Sequence, residues 1–107
     1  MNVYFILRED LEYTSENLFN LAIKGTQKLN FHIDNYEVLM IYNRYFLLKL
    51  EEFLINMGIS FEWIDIDNQS GIVIYTKENI RDTYLGDCIK LKQFAYYRDL
   101  EITIENE

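Results

Sequence analysis

Asp65 and Asp67 stand two residues apart at the end of an apolar run, with Asn68 beside them, so both carboxylates can leave the chain on one side. Such a pair can hold Mg²⁺ or share a proton. The same residues read equally simply as a solvated strand end where Asp and Asn start a turn, and that reading is preferred. Little else in the sequence assists the pair. His32 is the sole histidine, which excludes chemistry needing two imidazoles, and Cys88 is the sole cysteine, with only Lys90 as a nearby cation. A single cysteine permits neither an intramolecular disulfide nor a multi-cysteine zinc site. The sequence contains no glycine-rich phosphate loop, nucleophile elbow or metal-spaced histidines. No metal, cofactor or catalytic residue is therefore expected from residue types alone.

Charge points elsewhere. Eighteen acidic side chains against ten basic ones give a formal net charge of -8. That field repels phosphate backbones, so nucleic acid is not an expected partner. It attracts a basic protein surface, and Glu51, Glu52, Glu62, Asp65 and Asp67 are the acids placed to meet one. Tyr96 and Tyr97 join them as contact candidates, because tyrosine is favoured at interfaces. The plainer alternatives are a solvated acidic surface and aromatic residues that simply fill the core. On these grounds the expected function is a small, acidic, non-enzymatic protein-binding domain, of the kind used as an inhibitor or immunity-type factor by a phage or mobile element. The N-terminus lacks the pattern of a secretory signal, and every apolar run is too short to span a bilayer, so no membrane association and a cytoplasmic location are expected.

These residues need a scaffold, and 107 residues with an apolar half suit one domain spanning residues 1–107. Asn2 to Leu7 is a continuous apolar run, as in a strand buried on both faces. Thr14 and Ser15 offer N-cap hydroxyls for a helix from about Ser15 to Lys28, whose inner face is Leu18, Leu21, Ala22, Gly25 and Leu29. Gly25 either lets this helix approach the sheet closely or marks its end. Asn30 to Asn35 reads as a loop. Val38 to Tyr42 fits either a buried strand or the first turns of a long helix, and Asn43, a suitable N-cap for a helix beginning just after it, favours the strand.

Next comes a helix from Tyr45 to Met57, with Phe46 or Leu47, Leu50, Phe53 or Leu54, and Met57 inward, and Gly58 as its stop. Ile59 to Asp65 reads as a strand with a late bulge or twist, Asp67 to Gly71 as a turn, and Ile72 to Tyr75 as the returning strand. Between Ile80 and Ala95 a helical face (Ile80, Tyr84, Cys88, Leu91, Ala95) competes with strand-like alternation around Ile89 and Leu91. Leu100, Ile102 and Ile104 alternate with polar residues as in a half-buried edge strand, through which the chain could pair with a second copy or a larger assembly. The expected fold is α/β (α+β), a small mixed sheet with two main helices in the order β-α-β-α-β-β plus a C-terminal edge strand.

Taken in order, Arg8-Glu9-Asp10-Leu11 after the first strand, the helix after Thr14, Val38 to Tyr42, Arg44 to Met57 with Gly58, Ile59 to Asp67 and Ile72 to Tyr75 resemble the type 2 peptidyl-tRNA hydrolases. Gly86-Asp87 followed by Lys90-Leu91 looks like the Gly-x-Leu-Lys-Leu ending of some members. The resemblance implies hydrolysis of peptidyl-tRNA as an alternative function. The family's functional lysine falls on Asn17 here, and its helical glutamine and histidine positions fall on Leu21 and Lys24. The loop carrying family glycine, threonine and proline residues is shortened to residues 68–71. An enzyme of this kind would have to use Lys24 and Asp67 as its catalytic groups.

Overall fold

The computed structural model describes residues 2–33, 35–66, 69–78, 92–98 and 101–104. Strand β1 (Asn2–Arg8) leads through helices α1 (Ser15–Phe19) and α2 (Leu21–Leu29) to β2 (Asn35–Ile41), and then through α3 (Arg44–Met57) to β3 (Phe61–Ile66) and β4 (Gln69–Thr76). Strands β5 (Lys92–Arg98) and β6 (Glu101–Ile104) follow. The six strands form one mixed sheet in the order β3-β4-β1-β2-β5-β6, in which β1 and β2 are parallel and every other neighbouring pair is antiparallel.

The apolar run of β1 is continuous because each of its faces meets a helix. Val3, Phe5 and Leu7 pack with Leu18, Leu21 and Ala22 of α1 and α2, while Tyr4 and Ile6 pack with Leu47, Leu50 and Leu54 of α3. Period-two alternation along one strand thus feeds two separate cores. Burying each of these leucines contributes about 2 kcal/mol. Phe5 meets Tyr36 edge to face at 5.0 Å, and the Tyr36 hydroxyl donates to the Leu18 carbonyl, so the tyrosine is buried without losing its hydrogen bond.

The expected helix from Ser15 to Lys28 is divided at Asn20, which closes α1 and opens α2 with helical backbone angles. Thr14 caps α1 through a reciprocal box with Asn17. The break leaves the inward set Leu18, Leu21, Ala22 and Gly25 intact. Gly25 does not end the helix, which runs on to a left-handed Asn30. It permits close approach instead, since a Cβ there would lie 2.6 Å from Phe5 Cζ and 2.8 Å from Ile33 Cδ1.

The run around Val38 is a strand, starting earlier than expected at Asn35 and ending at Ile41, with Tyr42 exposed beyond it. Asn43 then caps α3, its side chain accepting from the Phe46 N–H, and Gly58 ends that helix at φ 68°. Strand β3 pairs with β4 without interruption, so no bulge occurs there. The change of apolar register arises because Phe61 and Trp63 pack on the α3 side and Ile64 on the other. An irregularity lies instead in β2, between Val38 and Leu39 opposite β5.

Gly71 belongs to β4 and not to the turn; a Cβ there would come within 3.0 Å of the Ile6 carbonyl oxygen and of Leu7 Cδ2. Met57, expected to face inward, is exposed, and the inward stripe of α3 ends at Leu54. Ala95 sits in strand β5, which settles the strand reading for that position; Ile80, Tyr84, Cys88, Ile89 and Leu91 lie outside the described residues. The C-terminal edge strand is β6, while Leu100 lies outside the described residues.

Candidate functional site

Helix α3 carries two stripes. Leu47, Leu50 and Leu54 are fully buried against the sheet. Tyr45, Leu48, Glu52 and Ile55 follow one another at intervals of three, four and three, which places them along a second face. Tyr45, Leu48 and Ile55 are 62%, 45% and 63% exposed. Around them the charges balance, with Arg44 and Lys49 against Glu51 and Glu52. Lys49 lies 3.9 Å from Glu52 and over the Tyr45 ring at 5.6 Å. These exposed contacts are weak and leave the apolar groups open to water.

Glu51 faces the sheet, where its carboxylate accepts from the Trp63 indole N–H. That bond fixes the indole of β3 against the middle of α3. Asp65, further along β3, accepts at Oδ1 from the Ser70 hydroxyl at 3.0 Å, and its backbone carbonyl accepts from Lys24 Nζ at 2.6 Å. Tyr75 N–H bonds to the Ser60 carbonyl. Together with the pairing register, this turns the backbone polar groups of Phe61, Trp63 and Asp65 toward the free edge of the sheet. Lys24 therefore covers part of an edge that would otherwise offer an unpaired carbonyl.

The expected contact acids are brought together only in part, since alternation along β3 sets Glu62 on the face opposite to Trp63 and Asp65. Glu51 and Glu52 share α3, while Glu62 and Asp65 share β3, with the Glu51–Trp63 bond linking the two elements. Asp67 lies outside the described residues. Tyr96 and Tyr97 are on β5, opposite Glu37 and Tyr36 of β2 and away from α3 in the strand order. Of the alternative catalytic groups, Lys24 points its ammonium at a backbone oxygen. Among the described residues no group of three or more His, Cys, Asp or Glu side chains could hold a metal.

A cleft of about 490 Å³ lies between the first turns of α3 and the sheet, where β1 ends and β4 begins. Arg8, Leu11, Arg44, Leu47, Leu48, Trp63, Gln69 and Ser70 line it. Arg8 holds Asp10 through two bonds, Nε to Oδ1 at 3.0 Å and Nη2 to Oδ2 at 2.7 Å. The hydrogen bonds from Arg8 hold the Asp10 carboxyl below the usual carboxylate range, and the same bonds raise the arginine. The Arg8 backbone N–H donates to the Tyr13 hydroxyl, whose pKa burial pushes up. Arg44 has no ion-pair or hydrogen-bond partner among the described residues.

Neither the outer stripe of α3 nor this cleft was expected from the sequence. The stripe's signal was available in the spacing of Tyr45, Leu48 and Ile55, hidden because the helix is apolar around most of its circumference. For the cleft the one local sign is an arginine directly after the Asn43 cap, where the helix dipole disfavours a cation. No known family pattern matches the sequence, and comparison with characterised proteins returns no match. Among the described residues, no helix is long and apolar enough to cross a membrane.

Proposed function

We propose that this chain is a non-enzymatic, acidic protein-binding domain of the cytoplasm that docks a partner with a basic surface through the outer face of α3. The observation that carries this reading is the exposed stripe of Tyr45, Leu48 and Ile55 on a helix whose opposite face already fills the core. Apolar side chains aligned on an ordered helix and rimmed by charge suit a groove or apolar strip on another protein. The net charge of -8 acts at longer range, drawing in a basic partner and excluding acidic ones, while the stripe supplies the contact itself. A role as an inhibitor or immunity-type factor of a phage or mobile element fits a small domain that acts by occupying a partner.

The test is affinity capture with the tagged wild-type protein and with the double variant Leu48→Asp/Ile55→Asp, each washed at low and high salt. A single stoichiometric partner, basic in sequence, should be held by the wild type, released more readily at high salt, and lost from the variant. Equal capture by both proteins would remove the stripe from the interface. Capture insensitive to salt would remove the electrostatic half of the proposal.

A second reading rests on the position of β6 at the end of the strand order, where among the described residues only β5 pairs with it and another strand could add. It makes the chain a homo-oligomer or assembly subunit joined through Leu100 to Ile104. Removal of the residues after Asp99 should then reduce the oligomer to monomer in sedimentation; an unchanged mass would reject it.

A further inference from the structure

From the residues around the α3 cleft we infer a second binding site, adjoining the docking face at Leu48, that takes a small organic anion with an apolar ring. The cleft is of a size that accommodates such ligands. Its two cations come from different parts of the chain, Arg8 at the end of β1 and Arg44 at the start of α3. Asp10 occupies two N–H groups of Arg8 and thereby fixes the guanidinium plane, while the rest of the fork remains for a further acceptor. Arg44 is held by nothing among the described residues, and the first turn of α3 carries no carboxylate to neutralise it.

That placement works against the helix, since a cation at its positive end is unfavourable. It is what an incoming anion requires. The remaining walls supply the complement for an apolar body. Trp63, oriented by Glu51, and Leu11 and Leu48 offer apolar surface, and Gln69 offers a donor beside the arginines, while the Ser70 hydroxyl is committed to Asp65. The carboxylates of Asp10, Glu51 and Asp65, all near the cleft, are each engaged by a donor of the protein. In a chain of net charge -8, the cleft brings two arginines together, and Arg44 is the one of the two without a carboxylate partner among the described residues.

Trp63 is the sole tryptophan, so its fluorescence reports directly on the cleft. The probes are phenyl phosphate, benzoate and inorganic phosphate, with benzylamine as the cationic control, each titrated to about 10 mM. Saturable change of Trp63 emission is expected with phenyl phosphate or benzoate, and whichever binds more tightly distinguishes a phosphate from a carboxylate ligand. Inorganic phosphate should bind more weakly for want of the ring. Arg44→Ala should weaken binding at least about tenfold. Asp10→Asn should tighten it, because it removes the charge that competes for Arg8; a purely structural Arg8–Asp10 pair would not give that gain. Both variants change exposed side chains, and coincident far-ultraviolet circular dichroism would establish that they fold. Absence of a saturable response to every anion, an equal response to benzylamine, or unchanged affinity in Arg44→Ala would overturn the site.

Discussion

Helices α2 and α3 pack on opposite faces of the same sheet, yet only one of them is complete as it stands. On α2, Leu21, Ala22 and Gly25 face inward, and the outside carries Lys24, Gln27 and Lys28, with Ile23 exposed four residues after the exposed Phe19 of α1. On α3 three leucines face inward and Tyr45, Leu48 and Ile55 line the outside. A solvated helix needs the first arrangement, and nothing in the folding of this domain calls for the second. The difference separates residues that hold the fold from residues left over for a partner. Gly25 brings α2 close to Phe5, and the cleft lies at the first turns of α3.

The largest effects are expected at the inner faces. Leu50→Ala should cost about 2–5 kcal/mol in urea denaturation, as expected for a fully buried leucine. Gly25→Val should cost about 1–3 kcal/mol, since its side chain must displace the Phe5 ring and Ile33. A wild-type midpoint for that variant would mean that Phe5 and Ile33 yield without cost and that the close approach does not require glycine. At the start of α3, Asn43→Ala should lose about 1 kcal/mol through the missing bond to the Phe46 N–H, measured in the same denaturation series.

The outer face provides the sharpening control. Leu48→Ala and Ile55→Ala should each leave stability within about 0.5 kcal/mol of wild type. A loss at Leu48 equal to that at Leu50 would show that both stripes serve the fold, and the basis for a docking face would go with it. The smallest expected effect is at Asp10. Its folded-state pKa is depressed by Arg8, so the pair stabilises the protein at neutral pH and ceases to do so as pH falls below about 3.9 and through the folded-state value. The stability difference between wild type and Asp10→Asn at pH 7 should therefore be small, given its exposure, and close in acid.

Much of this fold is written in short-range features. The buried run Val3 to Leu7, the Thr14 and Asn43 caps and the Gly58 stop all act within a few residues, so their consequences follow from the local sequence. Asn43 is the clearest case, because a cap at that point separates β2 from α3 where periodicity alone leaves strand and helix equal. The alternation of polar and apolar residues through Ile102 and Ile104 likewise marks β6 as a strand. Net charge and the near absence of histidine and cysteine are also properties of the chain itself.

Other features depend on which distant segments meet. The Asn20 break, the extension of β4 through Gly71 and the exposure of Met57 depend on how far each helix and strand overlaps its neighbours. Leu47 and Leu48 are chemically identical and adjacent, and only the direction in which α3 meets the sheet buries one and exposes the other. Arg8, Arg44, Trp63 and Ser70 come from four elements or their margins, and the strand order β3-β4-β1-β2 is what gathers them around one cleft. Local sequence specifies the period of an element and where it stops; which of its faces is covered depends on the apolar area that the whole chain can bury at once.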